Sequence, residues 1–333
     1  MGVYMETGVP MRGAMREKVC ALLSVCGLDW DDGIDATCAL IEDDNVIATG
    51  SLDGATIKCV AVDPDHQGED LTARILTGLR GVAFDRGDTH LMLFTKPKNE
   101  PMFSPLGFYP VIRTPDVLLM ENVRDGLSSY IASLRTQGFR QETPEKQEIG
   151  AIVANCNPIT NGHLHLIRTA AEVCDTAHLF ILSENKSEIP ADDRLRLARE
   201  ACAGFANVYV HPTDRYMISS ATFPAYCLRD AAQVERAYCE LDIRIFGEKI
   251  APALRINRRF VGTEPFSPIT AFYNAQLKER LPDYGVEVVE LPRLEADGEA
   301  VSASTVRRLW KEKNFDAIRP LVPDCAYRYL KGE

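Results

Sequence analysis

Ile149-Gly150-Ala151-Ile152-Val153-Ala154-Asn155-Cys156-Asn157-Pro158-Ile159-Thr160-Asn161-Gly162-His163 is the stretch whose reading decides the fold. Its first six residues are a short apolar run and read as a buried strand. The residues that follow it, with Leu164, Ile167, Ala170 and Ala171 at helical spacing, predict an amphipathic helix. A strand that turns through Thr-x-Gly-His onto a helix start suits phosphate groups. The first N–H groups of a helix are unpaired and carry a partial positive charge. Gly162 lets the backbone come close, and His163 offers a donor to a phosphoryl oxygen.

A second half of this candidate site lies late in the chain, at Val301-Ser302-Ala303-Ser304-Thr305-Val306-Arg307-Arg308. Its plainest reading is a capped helix with Ser304 as N-cap and Leu309 and Trp310 facing the core. A hydroxyl-rich helix start with an arginine in its first turn is also an anion site, because guanidinium matches phosphate oxygens as a fork. Lys186, in Ser183-Glu184-Asn185-Lys186-Ser187, follows the next expected strand, and Arg194 lies one turn into the helix after it. Arg255, Arg258 and Arg259 cluster just before the Val261–Pro265 strand end, where a solvated face is expected. His163 and His165 are expected on nearly opposite sides of their helix, which argues against a shared metal.

Outward from this stretch the chain alternates. Apolar runs at 149–154, 178–182, 208–211, 243–246, 260–262 and 286–291 read as buried parallel strands. Helical patterns at 192–203, 223–238 and 269–280 lie between them, which implies a Rossmann-like, doubly wound parallel α/β sheet. Before it, strands are expected at 37–42, 46–52, 55–62 and 91–95, with a helix at 71–83, making a smaller mixed α/β domain. The polar stretch from Arg140 to Glu148 reads as a linker. The expected division is 1–140, a linker at 141–148, and 149–333. Residues 1–15 read as a loose tail.

The chain has 333 residues and a net charge of −11, which argues against a general nucleic-acid binder. Ten cysteines occur without C-x-x-C or metal-ligand spacing and read as reduced thiols of a cytoplasmic protein. No apolar run approaches the ~20 residues of a membrane span, so no membrane partner is expected.

Thr160-Asn161-Gly162-His163 and Val301-Ser302-Ala303-Ser304-Thr305-Val306-Arg307 resemble the two signatures of the nucleotidylyltransferase superfamily, with either serine able to align as the motif serine. Within it the chain is most similar to the citrate lyase ligase (citrate lyase synthetase) family. That similarity rests on 155–163, Leu182–Lys186, Ile250-Ala251-Pro252-Ala253-Leu254 and Phe260-Val261-Gly262-Thr263-Glu264-Pro265. The N-terminal part resembles a GNAT-type acetyltransferase fold. Its loop Gln67-Gly68-Glu69-Asp70-Leu71-Thr72 departs from the acyl-CoA pattern, with Asp70 and Thr72 where small residues are expected.

The family resemblance implies ATP as substrate with Mg²⁺. It also implies acetate and the citrate lyase acyl carrier protein, with its CoA-like prosthetic group, as partners, acetylated with release of AMP and diphosphate. It casts His163, Lys186 and Arg307 as catalytic. Asn155, Asn157, Thr160, Gly162, Gly262, Thr263, Ser302, Ser304 and Thr305 would join His163 and Arg307 around the nucleotide. No protein-held metal is expected. Cys156 invites reading as an acetyl relay, against its plainer reading as a small strand-end residue. The residues leave three alternatives open: the carrier of malonate decarboxylase as acceptor, adenylyl transfer to a phosphate acceptor, and a non-catalytic nucleotide-binding regulator.

Overall fold

A computed structural model describes residues 2–138, 147–184, 186–217, 223, 231–264, 267–296 and 299–333. The chain forms two compact units, Met1–Gly126 with Phe223–Leu241, and Leu127–Thr222 with Asp242–Glu333. Most of the expected linker (141–146), Asn185, Pro265 and the first part of the expected helix at 223–238 lie outside the described residues.

The first unit runs β1 (Tyr4–Gly8), α1 (Gly13–Val25), β2 (Ala36–Glu42), β3 (Asn45–Asp53), β4 (Thr56–Val62), α2 (Leu71–Asp85), β5 (Met92–Thr95), α3 (Glu100–Phe103), β6 (Tyr109–Arg113) and β7 (Leu118–Glu121). Its sheet has the order β1-β2-β3-β4-β5-β7-β6, antiparallel except for the β4–β5 pair. Helix α2 buries Leu71, Ile75 and Leu79 in one apolar cluster with Ile57, Leu93 and Phe108. Helix α1 sets Val19 and Leu23 in another with Ile41 and Ala61. The mixed α/β domain is as expected, but its start is not a loose tail. Strand β1 pairs with β2 along its length. Four of its five residues are exposed, so the strand is held by backbone hydrogen bonds and carries no apolar pattern to read.

The second unit contains α4 (Gly126–Gly138), β8 (Ile149–Ala154), α5 (Asn161–Val173), β9 (Thr176–Ile181), α6 (Ala191–Cys202) and β10 (Val208–Pro212). After α7 (Ala231–Ile245), which is shared between the units, come α8 (Ala251–Leu254), β11 (Arg258–Gly262), α9 (Pro268–Arg280) and β12 (Glu287–Leu291). A small hairpin, β13 (Glu295–Ala296) and β14 (Glu299–Ala300), precedes α10 (Ala303–Lys311), α11 (Phe315–Ile318) and α12 (Asp324–Lys331). The sheet is parallel throughout with order β10-β9-β8-β11-β12. From β8 the chain winds one way to β9 and β10, and later the other way to β11 and β12. The topological switch therefore lies between β8 and β11, where such sheets bind ligands beyond their strand ends.

One expected strand is wrong. Ile243–Phe246 is not a strand; it finishes α7 and enters a π-helical turn, Phe246–Ile250. Its apolar residues are buried. A four-residue run with three apolar members fits either period, and here it belongs to a helix enclosed on most sides.

Candidate active site

Helix α5 starts with a reciprocal cap. Thr160 is the N-cap, and its hydroxyl accepts from the His163 N–H at 3.4 Å. In return the Thr160 N–H donates to His163 Nδ1 at 3.0 Å. The imidazole thus occupies the role that glutamate has in a capping box. Because Nδ1 is the acceptor, the proton of the neutral ring sits on Nε2. Enclosure of the ring, aided by the positive charge of Arg293, pushes its pKa down to about 4. At neutral pH His163 is an uncharged Nε2–H donor with its ring orientation fixed from behind.

The second helix start, α10, comes against the first. Ser302, not Ser304, is its N-cap: the Ser302 hydroxyl accepts from Thr305 N–H at 3.1 Å and lies 2.9 Å from Thr305 Oγ1. The expected cap slips by two residues because Ser302 is the last with extended backbone, while Ser304 is already within the helix. Gly162 is the contact point between the two halves. A Cβ there would sit 3.1 Å from the Val301 carbonyl oxygen. Arg307 ties the halves together by donating to the Asn157 carbonyl at 2.7 Å, and its Nε lies 3.3 Å from Glu188.

Both helix starts open on one cleft of about 540 Å³ at the switch between β8 and β11. Among the expected residues, Asn155, Thr160, Gly162, His163, Gly262, Ser302, Ser304 and Arg307 line it. At Gly262 a Cβ would meet nothing within 4 Å, so the strand end presents open backbone. His165 also borders the cleft, contrary to its expected placement on the far side, because the cleft wraps around the first turn of α5.

Four expected site residues stand outside the lining. Asn157 is buried beneath the turn, its side chain spanning Glu188 at 2.8 Å and the Ile189 N–H at 3.1 Å. Thr305 belongs to the α10 cap, and Thr263 donates its N–H to the Leu291 carbonyl at 2.9 Å. Lys186 is exposed on the segment after β9.

Arg194 is neither a surface charge nor a phosphate ligand. Its side chain is 0% exposed and donates to the carbonyls of Ile189, Asn155 and Glu184, with a further bond of 2.5 Å to Asn155 Oδ1. It clamps the turn from beneath. Cys156 is buried against the core with its thiol pKa pushed well up by burial, which favours its plain reading over a covalent relay.

The structure adds residues that sequence reasoning missed. Arg293, beyond β12, donates from Nε to the Thr263 carbonyl at 2.7 Å and pairs with the Glu264 carboxylate. Both residues line the cleft, as does Tyr273 of α9. Of the basic cluster, Arg258 is partly exposed and pairs with Glu148 at 3.0 Å, much as a surface residue should. Arg259 does not: it is 3% exposed and faces the cleft. Its neighbours in register, Ala151 and Val288, place it inside the sheet, so strand packing rather than local charge decides its burial.

The first unit has a cleft of its own, about 880 Å³, bordered by Val60–Val62 of β4 and Leu93–Thr95 of β5. Gln67, Gly68, Asp70 and Thr72 of the departing loop line it. Asp70 precedes α2 in left-handed conformation (φ 55°), and its carboxylate makes no capping bond.

Strand order, crossover helices and a cleft at the switch point place the second unit in the doubly wound parallel α/β class. The family model described as "Citrate lyase ligase C-terminal domain" matches residues 149–330. A protein named [Citrate [pro-3S]-lyase] ligase from Klebsiella pneumoniae is 41% identical over 290 residues, 86% of this chain and 83% of that protein. One of the same name from Escherichia coli (strain K12) is 39% identical over 321 residues, 95% of this chain and 90% of its own. The chain belongs to the citrate lyase ligase family, and is a ligase on that ground. Two solved structures overlap about a third of the chain. Escherichia coli ElaA has a TM-score of 0.32 at 14% identity, with 37% of this chain and 100% of ElaA covered. A putative N-acetyltransferase from Lactobacillus plantarum has 0.31 at 16%, with 36% and 97% covered. At such scores they add nothing to the strand order described above.

Proposed function

We propose that the protein activates acetate with ATP as acetyl-adenylate and acetylates the thiol of the CoA-like prosthetic group on the citrate lyase acyl carrier protein, releasing AMP and diphosphate. The observation that carries this reading is the meeting of two capped helix starts at one cleft, with His163 held as a neutral donor between them, in a member of this family.

In the first half-reaction a carboxylate oxygen of acetate attacks the α-phosphorus and diphosphate leaves. No general base is required, since a carboxylic acid of pKa ~4.3 is already ionised at neutral pH. Rate enhancement then comes from positioning and from donors aimed at the developing charge. His163 Nε2–H is assigned to an α-phosphoryl oxygen. The N–H groups at the starts of α5 and α10, with Arg307, are assigned to the departing phosphates, and the open backbone at Gly262 borders the adenosine, next to Thr263. Asn155 and Asn157 act by holding the turn: Asn155 is bound by Arg194, and the Asn157 carbonyl holds Arg307. Lys186 is assigned to the outer phosphates from its place after β9.

Among the described residues no three His, Cys, Asp or Glu side chains converge as a metal cage. Glu264, the carboxylate on the cleft wall, is committed to Arg293. Mg²⁺ is assigned to the phosphates of the nucleotide, where it would share the charge of the departing diphosphate.

The second half-reaction needs a thiolate from a thiol of pKa ~8.5. The first-unit cleft, with its apolar strand residues, is assigned to the carrier or its prosthetic arm; the carboxylate of Asp70 at its edge disfavours acetyl-CoA as the acetyl source. Incubation of citrate lyase carrier protein with ATP, Mg²⁺, acetate and this protein, read by intact mass, tests the proposal. A gain of one acetyl group is expected. No gain, or a gain only on the malonate decarboxylase carrier, would overturn the assignment.

A further inference from the structure

The second-unit cleft is lined by a buried arginine whose Nε has no hydrogen-bond partner. Arg259 lies in β11, between β8 and β12, and is 3% exposed. Its guanidinium stacks on the Phe246 ring at 4.5 Å, and its Nε is buried without a hydrogen-bond partner. The acid in its neighbourhood is Asp242, whose carboxylate is instead taken by the Tyr273 hydroxyl. Burial raises the Asp242 pKa in spite of the arginine, which weakens it further as a counter-charge.

An arginine enclosed in protein ordinarily has its forked donors matched by carboxylate, phosphate or carbonyl oxygens. A buried charge left unmatched is costly, and a protein retains one where something else completes it. Stacking on Phe246 satisfies one face of the guanidinium plane but none of its N–H donors. Arg259 also lines the cleft that contains His163, Gly262 and the two helix starts. A cleft, burial and an incompletely paired guanidinium coincide at one residue.

We propose that Arg259 is a substrate-binding residue that takes an oxyanion group at the floor of the cleft, with Phe246 and the Tyr273–Asp242 pair setting the guanidinium plane. The proposal rests on the reading of the cleft as an ATP- and acid-binding site. Two sources carry the chemistry, the carboxylate of acetate and a phosphoryl group of ATP or diphosphate.

The test uses the full chain with Arg259→Met, which keeps bulk and stacking but has no charge, and Arg259→Lys, which keeps charge but loses the fork. Thermal midpoints titrated with ATP, diphosphate or acetate give apparent dissociation constants without catalysis. Removing one partner of a buried charged contact typically costs ~2 kcal/mol or more, roughly thirtyfold. We expect a loss of that size in Arg259→Met and roughly fivefold or more in Arg259→Lys, in at least one ligand. A loss confined to acetate identifies the carboxylate, and a loss in ATP and diphosphate identifies a phosphoryl group. If all three constants stay within twofold of wild type, Arg259 is structural and the proposal fails. Should Arg259→Met not fold, the lysine variant decides by the same criterion. Acetate-dependent exchange of labelled diphosphate into ATP by the wild-type protein reads the ligase assignment separately.

Discussion

His163 illustrates how one side chain acquires a chemical role from its backbone neighbours. The Thr160 N–H occupies Nδ1, so the ring presents Nε2–H forward whatever the bulk tautomer preference. Removing a preorganised donor of this kind typically costs ~2.7–4 kcal/mol, or roughly 10²–10³ in rate. His163→Ala should therefore lower acetate-dependent diphosphate exchange by that factor while the protein stays folded, and near-wild-type exchange would remove His163 from the mechanism. With the ring pKa at about 4 in the free protein, kcat/KM should show no His163 limb between pH 8 and pH 6. A kcat/KM that falls with an apparent pKa near 6.5, a feature abolished in His163→Ala, would contradict the assigned neutral state. This residue was legible in the sequence because its partners lie within three positions. Arg259 and Arg293 were not. A basic residue near a strand end reads as solvated, and only neighbouring strands reveal that Arg259 is enclosed and that Arg293 reaches the Thr263 carbonyl and Glu264.

At the scale of elements the site is the junction of α5 and α10. Their register is set by the Gly162–Val301 contact and by the bond from Arg307 to the Asn157 carbonyl. Ser302 both caps α10 and faces the cleft, whereas Ser304 only faces it. Loss of an N-cap typically costs ~1 kcal/mol, so Ser302→Ala should lower the stability of the second unit by about that amount. Ser304→Ala should stay within ~0.5 kcal/mol, as for a surface change. Urea midpoints of the two variants check this, and equal effects would mean that the cap is not at Ser302. Local patterning located both helices but misplaced the cap, since the choice between serines depends on where the backbone turns from extended to helical. The same limit produced the mistaken strand at Ile243–Phe246. Three apolar residues in a run of four contain too little periodicity to separate a strand from the end of a buried helix.

Across the whole second unit, the buried His178 and His211 and the half-buried His163 link its stability to pH. Burial lowers His163 and His178 to about 4 and His211 to about 3, and the last two share a hydrogen bond of 2.9 Å. Unfolded, each would titrate near 6.5. Between these values the unfolded chain binds more protons than the folded one, so stability is held above about pH 6.5 and lost as pH falls toward 4. The chain has two tryptophans, and with Trp30→Phe the fluorescence of Trp310 reports the second unit. In that background the urea midpoint should fall between pH 7 and pH 4.5, and His178→Leu with His211→Leu should flatten the fall. An unchanged slope would exclude the pair as its source. The sequence by itself determined the parallel α/β class and the approximate places of the two helix starts, because hydrophobic period acts over a few positions. Only the tertiary structure decided that β1 is an edge strand rather than a tail and that the two helix starts touch at Gly162. It also decided that Arg194 is a clamp and that Arg259 lies buried at the cleft floor. Those outcomes depend on which strands become neighbours, and the burial of a charge is settled by residues far away in the chain.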